Sequence, residues 1–243
     1  MGAEDYAWNG ASFMPDLSST SSLLPKGSER GYSRGMTTVE ITAALEMIRQ
    51  ETDLNAKALL LAGLVSELFR ERGFEPVVVG GSAIEFYTDG AYMSGDTDIC
   101  WTGWPQPTEE QKEEIMCQIP GVKCHGGAKS WGIEGLWIDL LGEIDYRADK
   151  AFSKFSTPFG EVRLIPVEDA LAGRVYAARC YCSGYDEKDD DCAKKLMAAA
   201  LRGQIPIEWE EARRIAASPK YNCLKEFEEV KAEVEAALAK ISS

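Results

Sequence analysis

The chain reads as an α+β protein: a short mixed β-sheet flanked by helices, with a helical C-terminal region. Three observations predict this. Two helical patterns precede a β-branched run, Val77–Val79, that ends in Gly80-Gly81. Further strands are expected near Val122–Cys124, Gly135–Leu141 and Glu161–Ile165. From Val167 onward, apolar residues recur at helical spacing.

In chain order, residues 1–35 are rich in Gly, Ser and Pro without sustained periodicity, so an irregular arm is expected, pinned by Trp8, Phe13, Leu23 and Leu24. From Thr38, Ile41, Leu45 and Ile48 recur at helical spacing. Ala58, Leu61, Ala62, Val65, Leu68 and Phe69 do so again up to Gly73. Thr108 and Gln111 make a capping box for a helix carrying Ile115 and Ile119. Past the sheet, helices are expected from Val167 to the Cys182-Ser183-Gly184 break, over Glu187–Arg202, over Glu208–Ala217 and over Tyr221–Lys240. Leu224, Phe227, Val234, Leu238 and Ile241 form the stripe of the last one. The expected organisation is an arm over 1–35, a body over 36–165 and a helical region over 166–243.

The chemistry concentrates in three places. Val77-Val78-Val79-Gly80-Gly81-Ser82 is a strand ended by two glycines. Such a turn leaves backbone N–H groups bare at the start of a helix, where an anion fits, and Ser82 could add a hydroxyl at the N-cap of the Ala83–Tyr87 segment. Alone, it also suits an ordinary strand-to-helix turn. Asp96 and Asp98 are separated by one residue, so on a strand both carboxylates face one way, a spacing of hard oxygen ligands that suits Mg²⁺; a solvated acidic loop is the competing account. Asp139 lies in Leu136-Trp137-Ile138-Asp139-Leu140-Leu141, where Trp137, Asp139 and Leu141 share a face. A carboxylate in a buried apolar strand is costly unless something pairs with it. Two carboxylates about 4 Å apart repel by roughly 4 kcal/mol at an effective dielectric of about 20. A divalent cation reverses that sign, and without one at least one acid of the trio should hold its proton to unusually high pH.

The run Gly80-Gly81-Ser82-Ala83-Ile84-Glu85-Phe86-Tyr87-Thr88-Asp89-Gly90-Ala91-Tyr92, leading into Gly95-Asp96-Thr97-Asp98-Ile99, resembles the polymerase-β-like nucleotidyltransferase superfamily, nearest to its small prokaryotic branch with abortive-infection-type toxins. Downstream, Leu164-Ile165-Pro166-Val167-Glu168-Asp169-Ala170-Leu171-Ala172-Gly173-Arg174 resembles the helix after the catalytic sheet, and Lys188-Asp189 a Lys/Arg-Asp pair of the next helix. The resemblance spans about residues 74–200. It implies a nucleotidyltransferase fold, with residues 36–165 as catalytic domain and 166–243 as helical C-terminal domain. It also implies that Gly80, Gly81 and Ser82 hold nucleotide phosphates, and that Arg174 stands where relatives carry a phosphate-side lysine, although a helix-surface arginine is an equal account of it. Asp96 and Asp98 would bind two Mg²⁺ ions, with Mn²⁺ as a substitute, and Asp139 would bind the ion nearest the acceptor. The activity implied is transfer of NMP from an NTP to a hydroxyl of an RNA end such as tRNA, a protein side chain or a small molecule. A catalytically idle nucleotide-binding or toxin–antitoxin interaction module of the same fold is the alternative. Many relatives carry Thr or Ser just before the first acid; here that residue is Gly95, which removes a side-chain contact there.

Composition bounds the partners. The 243 residues, 45% of them hydrophobic, can bury a substantial core. No run of about 20 apolar residues occurs and no basic-then-apolar leader, so a cytosolic protein without a membrane span is expected. The seven cysteines are scattered without a Cys-x-x-Cys, and Cys180 and Cys182 would point apart on a helix; reduced core thiols are expected. A net charge of −14 opposes a long duplex DNA partner. Arg30, Arg34, Arg213, Arg214 and Lys220 could form a local basic patch for an RNA end, with ordinary surface charge the favoured reading. So it is for Asp186–Asp191, read as a solvated helix start rather than a metal site. The single histidine, His125, sits beside Gly126-Gly127 and is expected to be exposed at a turn, and a Ser or Cys nucleophile with a histidine base is poorly supported. Trp101, Trp104 and Trp131 could stack a base, although core and rim packing is the default.

Overall fold

The computed structural model describes residues 35–146, 151–181 and 185–241. The arm expected over 1–35 therefore lies, but for Gly35, outside the described residues, as do Arg30, Arg34 and the 182–184 break.

Among the described residues two helices come first, α1 (Thr38–Gln50) and α2 (Leu54–Arg70). Thr37 and Glu40 close a capping box on α1, and the Asp53 side chain caps α2. Both bury the apolar stripes read from their spacing, Ile41, Leu45 and Ile48 on one and Leu61, Ala62, Val65, Leu68 and Phe69 on the other. Strand β1 (Glu75–Val79) leads directly into α3 (Gly80–Tyr87), and β2 (Thr97–Thr102) follows after a loop. The expected capping box of Thr108 and Gln111 forms at α4 (Glu109–Met116). The sheet continues with β3 (Lys123–His125), β4 (Ser130–Ile133), β5 (Leu136–Glu143), β6 (Ser153–Thr157) and β7 (Gly160–Leu164). The chain then becomes helical through α5 (Val167–Arg179), α6 (Glu187–Leu201), α7 (Trp209–Ala216) and α8 (Leu224–Ile241).

The protein is α+β, and the described residues form one mixed seven-stranded sheet in the order β3-β4-β5-β2-β1-β7-β6. Pairs β1·β7 and β2·β5 are parallel and the other four are antiparallel. The sheet is larger than the sequence pattern suggested, because β4 and β6 were not anticipated. The core runs from the sheet through α1 and α2 and into the C-terminal helices: Ile48, Leu68, Val77, Ile99, Ile138, Leu171, Leu196 and Phe227 belong to one apolar cluster.

Several expectations are corrected. Helix α5 ends at Arg179, with Cys180 as its C-cap, so Cys180 is not helical as expected. In α8 the buried positions are Phe227, Val230 and Val234, while the stripe's ends are exposed: Leu224 lies about a quarter turn off that buried face, and Ile241 is the last residue of the helix. Cys100, Cys192 and Cys223 are buried free thiols, but Cys117, Cys124 and Cys180 are exposed. No helix among the described residues is long and apolar enough to cross a membrane.

Candidate active site

The strand-to-helix junction is tighter than a capped helix start. Helix α3 begins at Gly80, with Val79 in the N-cap position and no side-chain cap. Ser82 is therefore not the N-cap residue expected: it lies inside the first turn, because two glycines let the helix begin earlier. Gly80 takes φ +66°, and a Cβ there would lie 2.3 Å from Oδ2 of Asp98. Glycine takes that left-handed backbone without strain, and its lack of a Cβ permits that proximity. Gly81 follows, buried.

Ser82 is 1% exposed, and its hydroxyl works between two elements. It donates to the Val79 carbonyl at 3.0 Å and accepts from the Asp98 N–H at 3.2 Å. It thus ties the first turn of α3 to β2 and sets the position of Asp98.

Sheet register brings the acids together. Asp98 on β2 is directly opposite Asp139 on the parallel strand β5, and Asp96 immediately precedes β2. A carboxylate oxygen from each of Asp96, Asp98 and Asp139 lies within 4.8 Å of the other two, and no other such cluster of His, Cys, Asp or Glu forms among the described residues. Asp96 is exposed, and the other two are half-buried. Opposed oxygens around one Mg²⁺ would be about 4 Å apart, given metal–oxygen distances of about 2.1 Å. The donor set, all hard carboxylate oxygen, and its span both fit divalent magnesium.

Burial and mutual charge both act on one acid of the trio. The Asp98 carboxyl is pushed up to about 6, first by burial, then by the charges of Asp96 and Asp139; Arg174 and Lys129 act in the opposite direction. Desolvation and like charge both disfavour the ionised form, and a cation bound there would remove the second cause.

Two residues missed in the sequence support the first acid. Glu85 on α3 is only 3% exposed, and its carboxylate accepts from the Ser94 N–H at 2.7 Å. Burial pushes its pKa up, and the Ser94 bond works against that. The Ser94 hydroxyl in turn reaches Oδ1 of Asp96 at 3.3 Å. Ser94, the residue before Gly95, thus supplies a side-chain contact to Asp96. The available signal was Glu85 itself, a carboxylate between Ile84 and Phe86 on an apolar helix.

Arg174 on α5 comes close enough for its charge to act on Asp98, yet its guanidinium is paired with Asp189 of α6 at 2.5 Å. The remaining candidates disperse. Trp101 and Trp131 are core residues, and Trp104 is 89% exposed. Arg213 pairs with Glu210 and Glu228, Arg214 with Glu211 and Lys220 with Asp145, so these three cations are held in surface ion pairs. Asp186 caps α6. Asp190 departs from the solvated picture: it is buried and bonded to Arg179 and Lys194. His125 ends β3, exposed, with its ring against Trp137.

No protein-family model matches the chain, and no curated protein matches it. Twelve chains of solved structures do. An antigenic nucleotidyltransferase-like protein from Paracoccidioides brasiliensis aligns at 10% identity over 75% of this chain and 88% of its own, with a TM-score of 0.49. ANT(2″)-Ia in complex with adenylyl-2″-tobramycin aligns at 16% identity over 73% of this chain and 97% of its own, with a TM-score of 0.35. The solution structure of the antibiotic-resistance factor ANT(2″)-Ia gives 16% identity, 85% and 97% coverage and a TM-score of 0.36.

Proposed function

We propose that the chain is a magnesium-dependent nucleotidyltransferase that moves NMP from an NTP to a hydroxyl acceptor and releases pyrophosphate. The observation that carries this reading is the convergence of Asp96, Asp98 and Asp139 within 4.8 Å beside the Gly80 turn. The Gly80-Asp96 motif resemblance points the same way.

Asp96 and Asp98 would hold the ions at the triphosphate, and Asp139 would hold the one nearest the acceptor. Bound there, Mg²⁺ would neutralise the α-phosphoryl group and the leaving pyrophosphate and lower the pKa of the attacking hydroxyl. The bond formed is acceptor oxygen to α-phosphorus; the bond broken joins that phosphorus to the β-phosphate oxygen. Asp139 would receive the hydroxyl proton. The backbone N–H groups of Gly80 and Gly81 at the start of α3 would grip the β- and γ-phosphates, aided by the helix dipole. Ser82 contributes by holding Asp98. Arg174 would meet the leaving phosphates by giving up part of its contact with Asp189.

The test has two stages. Melting with Mg²⁺ and a nonhydrolysable NTP should show stabilisation by about 2.7 kcal/mol at a hundred times the dissociation constant. Incubation with each labelled NTP and cell extract should then label an acceptor, and Asp96→Ala and Asp98→Ala should abolish it. No melting shift and no labelled product would leave the idle module as the reading.

A further inference from the structure

The sheet register extends the site beyond the trio. Asp98 lies opposite Asp139, Asp139 opposite Ser130, and Ser130 opposite His125, so one row of side chains crosses β2, β5, β4 and β3 on a single face. The neighbouring row on the same face holds Trp137, Gly132 and Lys123. The two rings of these rows meet: His125 packs edge-on against Trp137 with centroids 4.7 Å apart and planes at 67°. Both rings gather over Gly132, where a Cβ would lie 3.6 Å from the Trp137 ring and 3.9 Å from His125 Nε2. The indole thus lies over β4 beside the histidine, at a distance where even a Cβ on Gly132 would be in ordinary van der Waals contact. Trp137 nevertheless remains 41% exposed, two residues along the strand from Asp139. That is a span of about 7 Å, which one extended nucleotide covers.

The surrounding charge selects among occupants. The chain carries a net charge of −14. Yet Lys123 shares the row of Trp137, and Lys129 precedes Ser130 with its charge acting on Asp98. Both lysines are exposed. Aromatic faces flanked by cations fit a base with its phosphates, since stacking is tolerant of sequence and the lysines meet the backbone. They suit a polycation poorly.

We propose that Trp137, braced by His125 over Gly132, is the stacking platform for the terminal base of a single-stranded polynucleotide, whose 3′ hydroxyl it presents to Asp139. This assigns the acceptor class and rests on the nucleotidyltransferase reading. Lys123 and Lys129 contact the preceding phosphates, and the acidic remainder of the surface limits binding to a short end rather than a long duplex.

Fluorescence anisotropy with labelled single-stranded RNA and DNA of about eight nucleotides, a length within the usual site sizes, tests this. Trp137→Ala should weaken binding by roughly five- to a hundredfold, as expected for one stacked base, while Trp137→Phe retains most of it. A Lys123→Ala/Lys129→Ala double variant should flatten the salt dependence. Melting of each variant alone checks folding, and the Mg²⁺–NTP melting shift of the same samples scores the nucleotidyltransferase reading separately. If that shift is intact but the wild type binds no oligonucleotide, or Trp137→Ala binds as wild type, the platform is wrong and the enzyme reading stands. If extract labelling falls on a protein and is undiminished in Trp137→Ala, the platform is likewise overturned.

Discussion

Replacing Asp98 by Asn should stabilise the metal-free protein. In the folded chain the Asp98 carboxyl is raised from 3.8 to about 6, by burial and by the charges of Asp96 and Asp139. The protonated form is therefore favoured by folding. The unfavourable contribution of the ionised form is absent below the unfolded value near 3.8 and is complete above about 6. At 1.36 kcal/mol per tenfold step, the difference corresponds to about 3 kcal/mol. Asp98 is only half-buried, and screening reduces this to roughly 1–2 kcal/mol. Coulomb repulsion gives the same scale: two charges at the 4.8 Å limit of the trio interact by about 3.5 kcal/mol at an effective dielectric of 20, before screening.

Asparagine keeps the shape and leaves the Asp98 N–H bond to Ser82 in place. In EDTA at pH 7.5 its melting temperature should therefore exceed wild type by roughly 2–8 °C, at about 2–4 °C per kcal/mol for a chain of this size. At pH 4 the two proteins should melt nearly together, and the gap should open as pH rises to about 6.5. Adding Mg²⁺ with a nonhydrolysable NTP should invert the order, because only the wild type offers the full set of ligands. Differential scanning fluorimetry across pH, with and without metal, measures all of this. An Asn variant no more stable than wild type at pH 7.5, or a gap that does not change with pH, would refute the electrostatic account of the trio.

Gly80→Ala should cost at least about 1–3 kcal/mol of stability from the left-handed backbone alone; its Cβ also meets Asp98 Oδ2, so the Mg²⁺–NTP melting shift should vanish with it. Ser82→Ala removes the acceptor of the Asp98 N–H inside a buried junction, and urea denaturation should show a loss of roughly 1–3 kcal/mol at unchanged m. Asp190→Ala strips Arg179 and Lys194 of a buried partner; because Glu233 still meets both cations, a loss near the low end of the 3–5 kcal/mol range is expected in the same assay.

How much of this could be read in advance depended on whether the signal was local. The helices α1, α2 and α4 announced themselves through periodic apolar positions and capping residues, which act within one turn. Asp139 was legible for a related reason: a carboxylate among Ile138, Leu140 and Leu141 contradicts its own strand, and the contradiction pointed to a partner. Strands β4 and β6 gave no such sign. Ser130-Trp131-Gly132-Ile133 is four residues long with a glycine inside, and Ser153–Thr157 is a polar edge strand; both are held by their neighbours rather than by propensity. Missing β4 hid the platform, because the approach of His125 to Trp137 exists only once β4 sits between β3 and β5 in register. Trp101 and Trp131 looked equally able to stack a base, and it is the alternation of the sheet that buries them on the other face.

Glu85 shows the same limit from the opposite side. Its burial arises only when the loop carrying Ser94 folds over α3, an arrangement no helical period encodes. Together with Ser82 it suggests why the acids hold their positions while repelling one another. Asp98 is held through its backbone N–H by Ser82, and Asp96 through its side chain by Ser94, whose own N–H is anchored on Glu85. Neither brace relieves the charge of the trio. Both fix geometry without a cation, so that on the proposed reading an ion would neutralise a formed site instead of ordering a loose one. A buried carboxylate spent on a loop makes sense on those terms, because an exposed acid such as Asp96 would otherwise swing away from Asp98 and Asp139 to relieve the repulsion.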